Sequence, residues 1–172
     1  MQYDATPVLG TGRDMGAYES PFFADVNTND YFVDDGFNAS DLYTPSAVGS
    51  DTNDGKTALT PKRTLTNLLS TYDLGPGDVV YIDAGTNAYA VTIPAGDADG
   101  AFAAPITFVG PTNGPGVARF KGTFGFTGFY LSAARFVRIR AIGVAGFSTG
   151  IEIDAGSTNI EIRGCSVRSN DF

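Results

Sequence analysis

The chain of 172 residues contains no histidine and one cysteine. Without imidazole, neither a Ser-His nucleophilic pair nor a histidine-ligated metal can be assembled within it. A single thiol cannot build a thiolate zinc centre. Any chemistry is therefore left to carboxylates, Lys, Arg, Tyr or a calcium ion. Positive charge is also scarce. The 11 Lys and Arg face 19 Asp and Glu, a formal charge of -8, which repels a phosphate backbone or an anionic membrane surface and argues against a nucleic-acid partner. No apolar run approaches the roughly 18 residues of a membrane span, so no membrane insertion is expected. The chain contains no basic-then-apolar leader; in a longer parent protein an export signal would lie elsewhere.

What the chain does have is a repeat. Phe136 to Val144 (FVRIRAIGV), moved forward 23 positions, lands on Asn159 to Val167 (NIEIRGCSV). Val137 falls on Ile160, Ile139 on Ile162, Ile142 on Cys165 and Val144 on Val167, while Arg138 falls on Glu161 and Arg140 on Arg163. The apolar set is kept and the polar set varies. GFYLSA from Gly128 matches GIEIDA from Gly150 at a shift of 22. A repeat of this length made of short alternating stretches predicts a β-solenoid, in which inward side chains stack on their equivalents one repeat away. Leucine-rich repeats share the period but require a Leu and Asn ladder that is missing here. Gly128, Gly146, Gly150 and Gly164 are expected at its corners. Cys165, at an inward position, is expected to be a small core residue.

The alternation predicts strands at 79–83, 90–93, 105–109, 118–121, 128–131, 136–140, 142–144, 150–153, 159–163 and 166–168. Leu65, Leu68 and Leu69 make one apolar helical face within 64–72, with Thr64 as N-cap. At 42% hydrophobic and 17% charged, the chain can bury one domain and carry an appendage.

Five stretches resemble secreted right-handed parallel β-helix proteins of the pectin lyase-like kind. Asp14-Met15-Gly16-Ala17-Tyr18-Glu19 is similar to the D-(I/M)-G-A-Y-E signature that closes many of them. Tyr31 to Asp34, the loop Gly49 to Thr57, and Pro61-Lys62-Arg63-Thr64-Leu65 resemble their opening strand, loop and helix start, and Gly75-Pro76-Gly77-Asp78 the turn before the first coil. The resemblance implies an all-β right-handed parallel β-helix with a short N-terminal capping helix, handedness following also from the general crossover preference. Residues 1–20 then read as a closing coil, 21–30 as a linker, and 31–172 as the opening cap and first coils, three to five of roughly 22 residues.

A closing motif ahead of an opening one implies tandem β-helices, or a unit whose N-terminal segment adds to the open C-terminal coil of a neighbour. The expected function is an extracellular or cell-surface structural scaffold that self-associates head to tail or in tandem, as in a fibre, adhesin or sheath, with enzymatic activity left open. The alternative is the first part of a polysaccharide lyase or other enzyme acting on acidic glycans, with its catalytic groups mostly beyond residue 172. The family's enzymes abstract a proton with Arg or Lys beside calcium, and the repeat exterior offers Arg138, Arg140, Arg163 and Arg168 near Glu152, Asp154 and Glu161. These charges are read as a solvated face, and no catalytic, cofactor-binding or metal-ligating residue is assigned. Asp25 to Asn29 has calcium-loop spacing without the Gly and Glu such a loop needs, and Asp51, Asn53 and Asp54 suit a turn, so a polar linker and a turn are expected there, with calcium as the alternative. Asn38-Ala39-Ser40 is a sequon meaningful only in a eukaryotic secretory route. Phe22, Phe23, Phe124, Phe126 and Phe129 are expected in the core rather than on a sugar-binding platform.

Overall fold

The computed structural model describes residues 29–36, 39–96, 98–113 and 116–169. The segment 1–20, the calcium-like spacing from Asp25, the pair Phe22 and Phe23, and Asn38 of the sequon lie outside the described residues. Strand β1 (Asp30–Val33) is followed by helix α1 (Leu65–Thr71), β2 (Val79–Ile82), β3 (Gly85–Asn87) and β4 (Val91–Ile93). Next come β5 (Ile106–Val109), β6 (Ala118–Lys121), β7 (Thr127–Leu131), β8 (Arg135–Arg140) and β9 (Ile142–Ala145), then β10 (Thr149–Ile153), β11 (Thr158–Arg163) and β12 (Ser166–Arg168).

The fold is mostly β, and its sheets are parallel. One sheet has the order β1-β2-β5-β8-β11, a second β3-β6-β9-β12 and a third β4-β7-β10. From β2 onward each sheet takes every third strand, so three consecutive strands form a tier and successive tiers pair in register. The repeat found in the sequence is this pairing: Ile160 lies beside Val137, Glu161 beside Arg138, Ile162 beside Ile139 and Arg163 beside Arg140. Val167 lies beside Val144 and Ile153 beside Leu131. The uniform spacing of 22 to 23 does not extend to the earlier tiers. Phe108 pairs with Ile139 and Val91 with Phe129, because longer loops join those strands. Strand β3 was not foreseen, since Gly-Thr-Asn has no apolar side chain. Pairing with β6 holds it in place.

Inward positions of all three sheets belong to one hydrophobic cluster. Tyr31, Val80, Phe108 and Ile139 follow one another in register and are essentially fully buried. Phe120 sits edge-on to Phe129, ring centroids 4.7 Å apart, and to Tyr89 at 5.6 Å. Each such side chain contributes about 1.5–3 kcal/mol through burial.

The repeat extends to backbone dihedrals. Phe136 and Asn159 have φ of 50° and 56°, Ala141 and Gly164 of 53° and 65°, Gly146 and Ser169 of 75° and 51°. Each pair is 23 positions apart, so the same left-handed residues turn the chain in both tiers. Gly146 and Gly164 are the corner glycines expected. Gly128 and Gly150 are not: both lie within strands. A Cβ on Gly128 would stand 2.6 Å from both Val144 Cγ1 and the Gly150 carbonyl oxygen, so close packing of neighbouring chain requires glycine there. A Cβ on Gly164 would meet only Ala141 N, at 3.9 Å, which leaves backbone strain as the main penalty. Gly164→Ala is expected to lower stability by about 1 kcal/mol, and Ala141→Gly to lower it by less or raise it slightly. Urea unfolding of the two variants checks this.

The end carrying β1 and α1, the head, is sealed. Thr64 caps α1 by accepting the Asn67 N–H at 3.1 Å, and the Tyr89 hydroxyl accepts the Leu65 N–H at 2.8 Å. Leu65, Leu68 and Leu69 are buried beneath the helix, as their spacing predicted. Acidic side chains hold the surrounding loops. Asp83 accepts the amides of Leu42, Tyr43 and Thr44 at 2.6–2.7 Å, and Asp78 accepts those of Asn29 and Gly75.

Asp34, 1% exposed, accepts the amides of Gly36 and Gly49, yet burial raises its pKa to about 6. The folded state therefore holds this proton where the unfolded chain has released it. Its stabilising contribution is complete below about pH 3.8 and is lost as pH rises through about 6. Asp54 and Asp154 act oppositely: a hydrogen bond from Thr60 lowers the first and the Ala133 amide lowers the second, so their contribution is lost on acidification below the ordinary carboxylate range. Thermal melts between pH 4 and 6.5 are expected to show stability falling with pH, with a flatter slope in Asp34→Asn.

Candidate functional site

The opposite end, the tail, is built from β10, β11 and β12, the outermost strands of their sheets. Among the described residues no strand pairs with their outer edges. The inward columns show what this exposes. Ile139 is 0% exposed and its register partner Ile162 41%; Leu131 is 0% and Ile153 43%; Val144 is 1% and Val167 47%. Residues of the same type, at the same place in the pleat, are core in one tier and surface in the next. Returning each to full burial is worth roughly 1–2 kcal/mol. Unpaired N–H and C=O groups along three adjacent strands add a template for further pairing. Cys165 is half-buried against this last part of the core, its thiol directed at the Ile139 carbonyl oxygen at 3.5 Å.

The outward charges are mostly committed to neighbouring tiers. Glu161 takes Arg138 Nε at 2.9 Å and Arg140 Nη2 at 3.1 Å, a cross-strand clamp between β8 and β11. Half-exposed pairs of this kind contribute at most about 1 kcal/mol. Glu152 accepts the Thr127 hydroxyl at 2.9 Å. Asp154 accepts the Ala133 and Gly156 amides at 2.9 and 3.0 Å and the hydroxyls of Ser132 and Ser157, which ties two successive turns together. These three carboxylates thus join tiers. Arg163 and Arg168 form no ion pair among the described residues.

Two adjoining grooves cross the outer face near β6, β9 and β12. One, of about 540 Å³, is lined by Arg140, Gly143, Arg163 and Ser166 among others. The other, of about 440 Å³, is lined by Arg119, Lys121, Ala145 and Arg168 among others. Neither lining includes a carboxylate, although the chain as a whole is strongly acidic.

The remaining sequence candidates have local structural roles. Asp51 accepts the amides of Arg63 and Thr64 at 3.1 and 2.9 Å, and Asn53 donates to the Pro61 carbonyl at 2.8 Å. Asp54 accepts the Thr60 hydroxyl at 2.7 Å. They shape the loop that leads into α1. Among the described residues no group of three or more His, Cys, Asp or Glu side chains could hold a metal ion. Phe129 is in the core as expected, but Phe124 and Phe126 are 67% and 63% exposed. That corrects the core assignment for both, because they lie in the turn before β7 rather than in a strand. No described helix is long and apolar enough to cross a membrane.

Compared with known proteins, the chain matches no family model and no curated sequence.

Proposed function

We propose that the chain is a right-handed parallel β-helix with a helix-capped head, and that it serves as an extracellular scaffold module which self-associates through its tail. The three-strand tiers, the parallel in-register pairing and the single hydrophobic cluster support the helical winding. The handedness and the extracellular setting rest on the resemblance to secreted β-helix proteins. The observation that carries self-association is the exposure of Ile153, Ile162 and Val167 on three strands whose outer edges are unpaired. Apolar side chains beside open strand edges favour continuation of the sheets by another chain. Sealed head and open tail make the contact heterologous, so it propagates instead of closing.

Sedimentation velocity of the purified chain from about 1 to 100 µM, with electron microscopy of the concentrated sample, tests this. Growth into large species or filaments with concentration is expected. A strictly monomeric chain over that range contradicts it.

A second reading, binding of an acidic glycan along the outer grooves, is favoured by their carboxylate-free lining of Arg119, Lys121, Arg140, Arg163 and Arg168. On that reading polygalacturonate binds with a salt-sensitive affinity that Arg119→Glu weakens, and calorimetry with no heat of binding rejects it.

A further inference from the structure

The turn between β6 and β7 keeps two aromatic rings in water. Phe108, Phe120, Phe129 and Phe147 are buried, whereas Phe124 and Phe126 are 67% and 63% exposed. Gly125 between them has a φ of 103°, a conformation that glycine adopts without steric cost. The turn is firmly held. The Gly125 amide donates to Ser148 Oγ at 2.7 Å, the Ser148 amide to the Phe126 carbonyl at 2.9 Å and the Gly122 amide to the Ala145 carbonyl at 3.0 Å. Apolar surface on a braced turn leaves little to order when a ligand arrives.

Phe126 lines a third groove, of about 410 Å³, with Ala88, Tyr89, Ala90, Lys121 and Phe147. This volume is that of a small-molecule site, about 300–1,000 Å³. The Tyr89 hydroxyl is engaged by the Leu65 amide at 2.8 Å and the Asn87 side chain at 2.9 Å, which leaves ring carbon to the groove. Phe147 packs so closely on Gly122 that a Cβ there would overlap its ring. The groove is therefore mainly hydrocarbon. Lys121 also lines the neighbouring groove of about 440 Å³, together with Arg119, so the two adjoin. Strand β6 buries Ala118 and Phe120 and leaves Arg119 and Lys121 exposed. Neither cation forms an ion pair among the described residues.

We propose that the two adjoining grooves bind a single-chain anionic amphiphile, an alkyl chain with a carboxylate, sulfate or phosphate head. The head lies against Arg119 and Lys121, and the chain runs over Ala88, Ala90 and Phe126. Charge and hydrocarbon select it together. A neutral head leaves both cations without a counter-charge, and a wholly polar anion leaves the apolar groove uncovered. An anionic bilayer offers the same head groups, but a chain of formal charge -8 is repelled by such a surface. A single molecule meets only the local cations. This site needs neither the tail strands nor a polymeric ligand, so it stands apart from self-association and from glycan binding.

Calorimetry of the full chain with hexyl, octyl and decyl sulfate, each below its micelle concentration, tests this. One saturable site is expected, tightening about tenfold for every two added carbons. Octyl glucoside, which has the octyl chain without the charge, is expected to bind at least tenfold more weakly than octyl sulfate. Lys121→Glu is expected to weaken all three sulfates at least tenfold and keep their order, and Phe126→Ser to flatten the dependence on chain length. Both side chains are exposed, so both variants are expected to keep the circular dichroism of the parent. Uptake by the parent without saturation, or variants that bind as the parent does, overturns the site. Octyl glucoside binding as tightly as octyl sulfate overturns the role of charge. Sedimentation with phosphatidylglycerol vesicles, in a chain that has no site for octyl sulfate, overturns the single molecule in favour of a membrane surface. Polygalacturonate binding without alkyl sulfate binding overturns this proposal and leaves the glycan reading standing.

Discussion

Phe120→Ala is expected to lower the unfolding free energy by about 3–5 kcal/mol, and the melting temperature by roughly 10 °C for a domain of this size. Phe120 is fully buried, and two aromatic rings meet it edge-on, Phe129 at 4.7 Å and Tyr89 at 5.6 Å. The hydroxyl of Tyr89 in turn accepts the first amide of α1. Truncation at Phe120 removes a large apolar volume between β6 and β7 and loosens the ring that holds the head cap. Phe124→Ala, only four residues along, removes the same atoms from an exposed turn and is expected to stay within about 0.5 kcal/mol of the parent. Urea titration of both variants separates the cases. Equal losses would place Phe124 in the core and reverse the assignment made above.

The second large effect concerns one column and two of its members. Leu131 and Ile153 pair across β7 and β10, yet the first is 0% and the second 43% exposed. Leu131→Asn strands an amide in a packed interior and is expected to cost about 4 kcal/mol or more. Ile153→Asn is expected to cost less than about 1 kcal/mol in the dilute chain. At concentrations where copies associate the order of importance inverts: Ile153→Asn is expected to abolish assembly while leaving the chain folded. Circular dichroism reports the fold and light scattering the assembly, so the two effects are read independently. A folded Ile153→Asn chain that assembles as the parent does would show that the tail column is not the contact.

How much of this could be read from residues alone follows from the range of the interactions. The last two tiers were visible because their loops are short, so Val137 and Ile160, or Leu131 and Ile153, stand at nearly constant spacing. Earlier tiers carry longer loops, and only local alternation marked their strands. Strand β3 left no signal, since Gly-Thr-Asn is extended by its pairing with β6 and not by its own preference. Helix α1 was visible because Thr64 and the three leucines encode it within eight residues. The acidic head was not: Asp83 serves amides 39–41 positions away and Asp78 one 49 away, distances over which no sequence pattern survives. Arg138 and Arg140 were visible as outward charges, but their shared partner Glu161 depends on register. That Arg163 and Arg168 form no ion pair among the described residues emerges only from geometry.

The central claim is that the tail is a surface meant to be covered by another copy. Hydrogen exchange of the amides in β10, β11 and β12, measured at about 1 and 100 µM, tests it most directly. Amides pointing outward from these strands are expected to exchange freely in the dilute chain and to become protected at least tenfold at the higher concentration, while those of β2 and β5 stay unchanged. Protection that is the same at both concentrations, whether high or low, contradicts the account.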